Sequence, residues 1–232
     1  MTVSKSDRVV LFLKSFQAGH VKTRLAARVG DRGALKVYTA MVADLLTRLE
    51  PLRDVLVPYV DTFQVDTLAD PIDYPPVVSS WLSRGLLKVQ RGEDLGERMS
   101  NAFREVFAAG AERAVLIGSD IPQINSDLLK GYLVALRMFP MVLGPAADGG
   151  YYLIGFEREH FDASVFRGIE WSTERVLDQT LDKARSRRLP IHIGAELQDV
   201  DTAEDLESLL STGLYAGSLA EVLEQYLVRA EA

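Results

Sequence analysis

Short β-branched apolar runs alternate along this chain with amphipathic stretches of helical period, and that alternation narrows the possible architectures more than any other feature. Arg8 to Leu13 (RVVLFL), Asp54 to Val60, Leu86 to Gln90, Arg113 to Ile117, Met141 to Leu143, Tyr151 to Phe156 and Pro190 to Ile193 read as strands. Pro58 weakens the second of them. Between them, Leu35, Tyr38, Met41, Val42, Leu45, Leu46 and Leu49 recur at three and four, predicting a helix over Gly33 to Leu49 that Pro51 ends. Met99, Ala102, Phe103, Val106 and Phe107 trace a second helix from Leu95. A third, capped by Ser126 or Asp127, carries Leu129, Tyr132, Leu133 and Leu136, and a fourth covers Val176 to Arg187. Helices from Thr202 and from Ser218, the latter with Glu221 in capping-box register, close the chain. Strands spaced by crossover helices pair in parallel, so the expected fold is α/β. It is a mostly parallel open sheet with helices on both faces, in a single domain over 1–232 with the helices from about 202 packed on it. Ligands of such sheets bind beyond the C-terminal ends of the strands.

Composition removes several function classes. No apolar run approaches the roughly 18–20 residues of a membrane span, and the charged N-terminus lacks a signal-peptide cleavage pattern. With no cysteine there are no disulfides or thiolate metal sites, and the cytoplasm is the default location. The formal net charge of −7 argues against nucleic acid as a partner. The first 30 residues nevertheless hold six of the 26 basic groups and only one acid, Asp7. That basic head suits a small polyphosphate or a solvated helix start.

The segments that follow the strands carry the polar chemistry. Lys14 to Leu25 contains Gly19, Lys22 and Arg24; a lysine and an arginine two apart beside a glycine can hold phosphate oxygens, or can form a solvated basic turn. It matches neither a Walker A loop nor G-x-G-x-x-G. Asp120, in Gly118-Ser-Asp-Ile-Pro122, stands where a nucleotide-bound Mg²⁺ or Mn²⁺ needs an oxygen, and where a turn aspartate is also common. Asp199 and Asp201 fall on one side of an extended segment before the helix from Thr202, able to converge on a cation or to complement the helix dipole. Gly144-Pro-Ala-Ala-Asp148-Gly149-Gly150-Tyr151-Tyr152 is too glycine-rich for a plain turn, and its tyrosines and carboxylate suit a polar organic ligand. Asp148 is the expected contact to a sugar or acceptor hydroxyl, with turn closure as the alternative. Gln90, in Gln90-Arg-Gly92-Glu-Asp-Leu-Gly96, could read a base edge, and Trp171 precedes a Ser-Thr helix start. His20, His160 and His192 lack metal-ligand spacing, and no serine-hydrolase arrangement is present.

In this order, Gly19-x-Val-Lys22-Thr-Arg24-Leu, Gln90-x-Gly-x-Asp94-Leu-Gly96-x-Arg98-Met, Gly118-Ser-Asp120-x-Pro, Gly144-Pro-Ala-x-Asp148-Gly-Gly-Tyr-Tyr-Leu-Ile-Gly, Trp171-Ser-Thr and Asp199-Val-Asp201-Thr-x-Glu-Asp-Leu resemble bacterial glycosyltransferase-like proteins of the nucleotide-diphospho-sugar transferase superfamily. That group is similar in turn to the 2-phospholactate guanylyltransferases. The resemblance, in register from about Val9 to Leu210, implies a GT-A fold. It implies that Lys14, Gly19, Lys22, Arg24, Gln90 and Gly92 bind the nucleotide, and that Asp120 and Asp201 hold Mg²⁺ or Mn²⁺. Gly144, Asp148, Gly149, Gly150, Tyr151 and Trp171 would then wall the sugar or acceptor site, with Asp148, Lys22 and Arg24 serving the chemistry. The implied activity is glycosyl transfer from a nucleotide-sugar to a small-molecule acceptor. The alternatives are nucleotidyl transfer from a nucleoside triphosphate with release of pyrophosphate, and a non-catalytic nucleotide-binding module. Ala18 stands where the family usually has proline, and Ser119-Asp120 replaces the Asp-x-Asp with which many glycosyltransferases hold the donor metal.

Overall fold

The computed structural model describes residues 3–61, 76–82, 87–211 and 221–222. Its strands are β1 (Asp7–Leu13), β2 (Leu56–Val60), β3 (Lys88–Val89), β4 (Arg113–Ile117), β5 (Met141–Pro145), β6 (Tyr151–Glu157) and β7 (Ile191–Ile193). The helices are α1 (Thr23–Arg48), α2 (Pro76–Leu82), α3 (Leu95–Ala108), α4 (Ser126–Ala135), α5 (Val176–Ser186) and α6 (Ala203–Ser211). The strands form one sheet in the order β3-β2-β1-β4-β6-β5-β7, parallel throughout except for β6, which runs against both neighbours. The exception has a local cause: β5 and β6 are joined by residues 146–150, closed by Ala146 N to Gly150 O at 3.0 Å, too short a link for a parallel crossover.

Alternation along β1 explains the layering. Val9, Leu11 and Leu13 pack with α1 and α4 on one face, whereas Val10 and Phe12 join the α3 and α5 residues on the other. Each such fully buried aliphatic side chain contributes about 1.5–3 kcal/mol. A third apolar cluster joins Leu25, Val37 and Met41 of α1 to Val200, Ala203 and Leu206, docking α6 on the outer side of α1.

Several boundaries differ from the sequence expectation. The first helix starts at Thr23 rather than Gly33 and is broken at Gly30, whose φ of 74° and ψ of 162° are not helical. The cap of α4 is Asn125, which accepts from the amides of Asp127 and Leu128, not Ser126 or Asp127. Pro58 lies inside β2 without harm. Asp61 N donates to Leu13 O and Val60 O accepts from Gln90 N, so alternate residues face β1 and β3. Pro58 therefore faces the β3 side, and β3 reaches only Tyr59 and Val60. Leu86 and the helix expected from Ser218 fall partly or wholly outside the described residues. Among those described, no helix is long and apolar enough to cross a membrane.

The chain leaves β1 toward β2 on one side and returns through α3 to β4 on the other. The sheet thus opens a crevice beyond the C-terminal ends of β1 and β4, where sheets of this kind bind ligands.

Candidate active site

Asp120 follows β4 at this crevice, Lys14 follows β1, and the segment 199–201 follows β7. The structure brings all three together around one nitrogen. Lys22 Nζ lies 2.5 Å from Asp120 Oδ1, 2.9 Å from Asp201 Oδ1 and 2.5 Å from the Val200 carbonyl. Its side chain is 0% exposed, whereas the two carboxylates keep 30% and 37% of their surface. Val200 N donates to Asp120 O at 3.1 Å, so the two segments are also joined through backbone. Burial opposes the charge on Lys22, but the Asp120 and Asp201 carboxylates outweigh it and raise the ammonium pKa. Burial likewise opposes ionisation of Asp120, and the Lys22 and Lys14 charges overcome it, leaving the carboxyl below its usual range.

Tyr38, which the periodicity of α1 marks only as a core residue, organises the same place. Its fully buried hydroxyl accepts from Lys14 N at 2.8 Å and pairs with Ser119 Oγ at 3.1 Å. One side chain thereby fixes the residue after β1 and the residue before Asp120. Ser119 is committed to this contact. Asp201 is held in turn by the start of α6: Asp205 Oδ2 accepts from Asp201 N at 3.0 Å and Thr202 N at 2.8 Å, and Thr202 Oγ1 accepts from Asp205 N. Thr202 and Asp205 thus cap the start of α6 reciprocally.

The phosphate-loop residues part company here. Arg24, in the first turn of α1, is exposed and pairs with no acid among the described residues. Lys14 is 43% exposed with its Nζ 3.6 Å from Asp120 Oδ2. Gly19 lies in the exposed loop between them. Lys22, expected to face phosphate, is instead enclosed by its two carboxylates: it donates to Asp201 and the Val200 carbonyl and is ion-paired with Asp120.

Gln90 Nε2 donates to Leu13 O at 2.9 Å and Tyr59 O at 3.3 Å, so its amide crosses the ends of three strands and retains only its oxygen as an acceptor. Gly92 packs on the first turn of α3, where a Cβ would lie 2.7 Å from Arg98 N. The half-buried Trp171 lies over the same turn, and a Cβ on Gly96 would come within 2.7 Å of its ring.

The 144–152 loop answers mainly to packing. A Cβ on Gly144 would stand 2.4 Å from the Tyr152 ring, whose hydroxyl bonds Tyr132 at 2.8 Å and the Ala195 carbonyl at 3.2 Å. Gly149 has φ +84°, and a Cβ there would lie 2.2 Å from Glu174 O. Gly149→Ala therefore combines left-handed strain with a backbone clash and is expected to cost about 2–3 kcal/mol, read from the denaturation midpoint. Gly150 N donates to Asp148 Oδ1 at 2.8 Å, so this exposed aspartate closes a turn with one oxygen. The Tyr151 hydroxyl is buried beside Thr180, away from the role in ligand contact expected of it, and burial raises its pKa. Asp199 is half-buried, and burial together with the Asp148 and Asp201 charges raises its carboxyl pKa. These carboxylates thus form an electron-rich rim beside Lys22.

A family profile described as an uncharacterized protein conserved in bacteria (DUF2064) matches residues 60–173, the segment holding Gln90, Asp120, Asp148 and Trp171. A solved structure from Desulfovibrio desulfuricans G20, provisionally assigned as a nucleotide-diphospho-sugar transferase, is 35% identical, with a TM-score of 0.85 and 97% of each chain covered. The chain belongs to the DUF2064 family. This DUF2064 chain is also related to the phosphoenolpyruvate guanylyltransferase of Sphaerobacter thermophilus, at 25% identity over 193 residues, 81% of this chain and 86% of that one. A cytidylyltransferase from Leptospira borgpetersenii, 14% identical, covers 97% of the chain and 95% of its own with a TM-score of 0.56, a likeness of fold alone. The DUF2064 chain thus has the fold shared by nucleotidyltransferases and nucleotide-diphospho-sugar transferases.

Proposed function

We propose that this protein is a metal-dependent nucleotidyltransferase that joins a nucleoside monophosphate to a small anionic acceptor. One observation carries the reading: Asp120 and Asp201, from segments far apart in sequence, converge on a single nitrogen with the half-exposed Lys14 at its edge, and the exposed Arg24 follows Lys22 by two residues. The relationship to a guanylyltransferase supports it. The lone carboxylate after β4, with Ser119 bound to Tyr38, supports nucleotidyl over glycosyl transfer.

Two carboxylates completed by phosphate oxygens are a donor set that Mg²⁺ accepts. Asp120 and Asp201 already share one cation, Lys22, so their placement suits the ion. When bound there it neutralises phosphate charge as a Lewis acid. In the transfer an acceptor oxygen attacks the α-phosphorus, the bond from that phosphorus to the bridging oxygen breaks, and pyrophosphate leaves with the electron pair. Lys14 and Arg24 offset the charge that accumulates on the phosphates. Gln90 Oε1 accepts from an N–H of the base, which guanine offers on its amide edge. Asp148, through the oxygen its turn leaves over, and the neighbouring 149–150 backbone face the acceptor.

A charge-assisted hydrogen bond contributes about 1.5–3 kcal/mol. Arg24→Ala is thus expected to weaken a nucleoside diphosphate roughly 10- to 100-fold and the parent nucleoside hardly at all, by calorimetry. Equal weakening of both would make Arg24 a structural residue. The name of the Desulfovibrio relative favours a second reading, glycosyl transfer from a nucleotide-sugar, which releases a nucleoside diphosphate instead of pyrophosphate.

A further inference from the structure

Lys22 precedes α1 with φ 47° and ψ 48°, in the left-handed region that a non-glycine residue enters at a cost of about 1–2 kcal/mol. The strained backbone aims a wholly buried side chain at three acceptors, donating to Asp201 and the Val200 carbonyl and pairing with Asp120 at 2.5 Å, so that its nitrogen is closed to solvent. A phosphate oxygen reaches this nitrogen only by displacing one of them. Lys14 Nζ lies 3.6 Å from the other oxygen of Asp120, too far for a tight hydrogen bond. Two carboxylates therefore face two ammonium groups that offset their charge, while Asp199 and Asp148 add negative charge farther out. Among the described residues, no group of three or more histidine, aspartate or glutamate side chains forms a ready-made metal cage.

We propose that Lys22 is an internal counter-ion of the Asp120–Asp201 pair, so that a divalent cation is taken up together with a nucleotide and not ahead of it. This rests on the transfer reading above. A free divalent ion meets a carboxylate pair whose inner oxygens both lie against the Lys22 ammonium. An arriving triphosphate supplies negative charge and draws the half-exposed Lys14 and the exposed Arg24 toward itself. The outer carboxylate oxygens then face the cation with only Lys22 opposing it. Lys22 stays in place through this exchange, holding the 199–201 segment against the end of β4.

The test is the affinity for Mn²⁺ alone, read from the electron paramagnetic resonance signal of the free ion with no nucleotide present. The native protein is expected to bind it weakly, and Lys22→Met to bind at least about tenfold more tightly, within the usual 5- to 150-fold span of coupling between sites. Lys14→Met, which removes a half-exposed cation, tightens Mn²⁺ binding by a smaller factor and decides the matter should Lys22→Met not fold. Tight Mn²⁺ binding by the native protein overturns the proposal, as does native affinity in the folded variant. Calorimetry of nucleoside triphosphates with Mg²⁺ separates the two levels. If they bind while the Mn²⁺ result fails, only the counter-ion role falls. If no nucleotide binds under any condition, the transfer reading falls and takes this role with it.

Discussion

Asp120→Asn is expected to lower kcat by about 10²- to 10³-fold while the protein remains folded. Neutralising this carboxylate removes charge aimed at the reacting phosphates, an effect of the size seen when one preorganised electrostatic group is lost from an active site. The fold withstands it for identifiable reasons. Lys22 keeps Asp201 and the Val200 carbonyl, and the Asp120 backbone still accepts from Val200 N. The structural cost is thus expected near 1 kcal/mol, the value of one hydrogen bond. Steady-state turnover with a parallel thermal melt separates the two effects, and turnover within about threefold of native would remove Asp120 from the site.

Lys22→Met carries the largest expected stability effect. Methionine fills the space of the aliphatic stem but leaves two carboxylates without their shared cation. Removing one partner of a buried pair costs about 3–5 kcal/mol. Because both carboxylates retain roughly a third of their exposure and can rehydrate, the loss is expected at about 2–3 kcal/mol. Its pH dependence follows from the shifts. The Lys22 pKa is raised from its ordinary 10.5, so this contribution is complete below that pH and disappears only as pH climbs through the raised value. The Asp120 pKa is depressed from 3.8, so its contribution is complete above that pH and is lost as pH falls through the depressed value. The difference between native and variant should therefore be flat across neutral pH and shrink only in strong acid or strong alkali. Denaturant titrations at three pH values check this, and a difference that changes between pH 6 and 8 would contradict it.

The architecture was legible because hydrophobic period and strand spacing are local. Each of β1, β4 and β5 is an apolar run, and Lys14 and Asp120 lie just after the ends of β1 and β4. The early start of α1 was hidden because half of Thr23 to Arg32 is polar and Gly30 breaks its period, and Leu25, Ala26 and Val29 there pack in the cluster that docks α6. The roles within the site were harder to read. Asp120, Asp201 and Lys22 could each be named, but spacing says nothing of which cation turns inward. That depends on the left-handed backbone at Lys22 and on contacts 178 and 179 residues distant in the chain. Tyr38 gave no signal because an aromatic on a helix face reads as core, and its hydroxyl finds Lys14 and Ser119 only after β1 and β4 pair. The glycines of the 144–150 loop pointed to close approach, and the approaching groups are the Tyr152 ring and the Glu174 backbone.

The central claim, nucleotidyl transfer, is tested most directly by the identity of the leaving group. Each ribonucleoside triphosphate is incubated with Mg²⁺, the protein and a panel of small phosphorylated carboxylic acids, phosphoenolpyruvate among them, while pyrophosphate is measured by an enzyme-coupled assay. The expected result is acceptor-dependent pyrophosphate release, greatest with the guanosine nucleotide, one equivalent for each triphosphate consumed. No pyrophosphate with any pairing, together with release of a nucleoside diphosphate from a nucleotide-sugar, would contradict it.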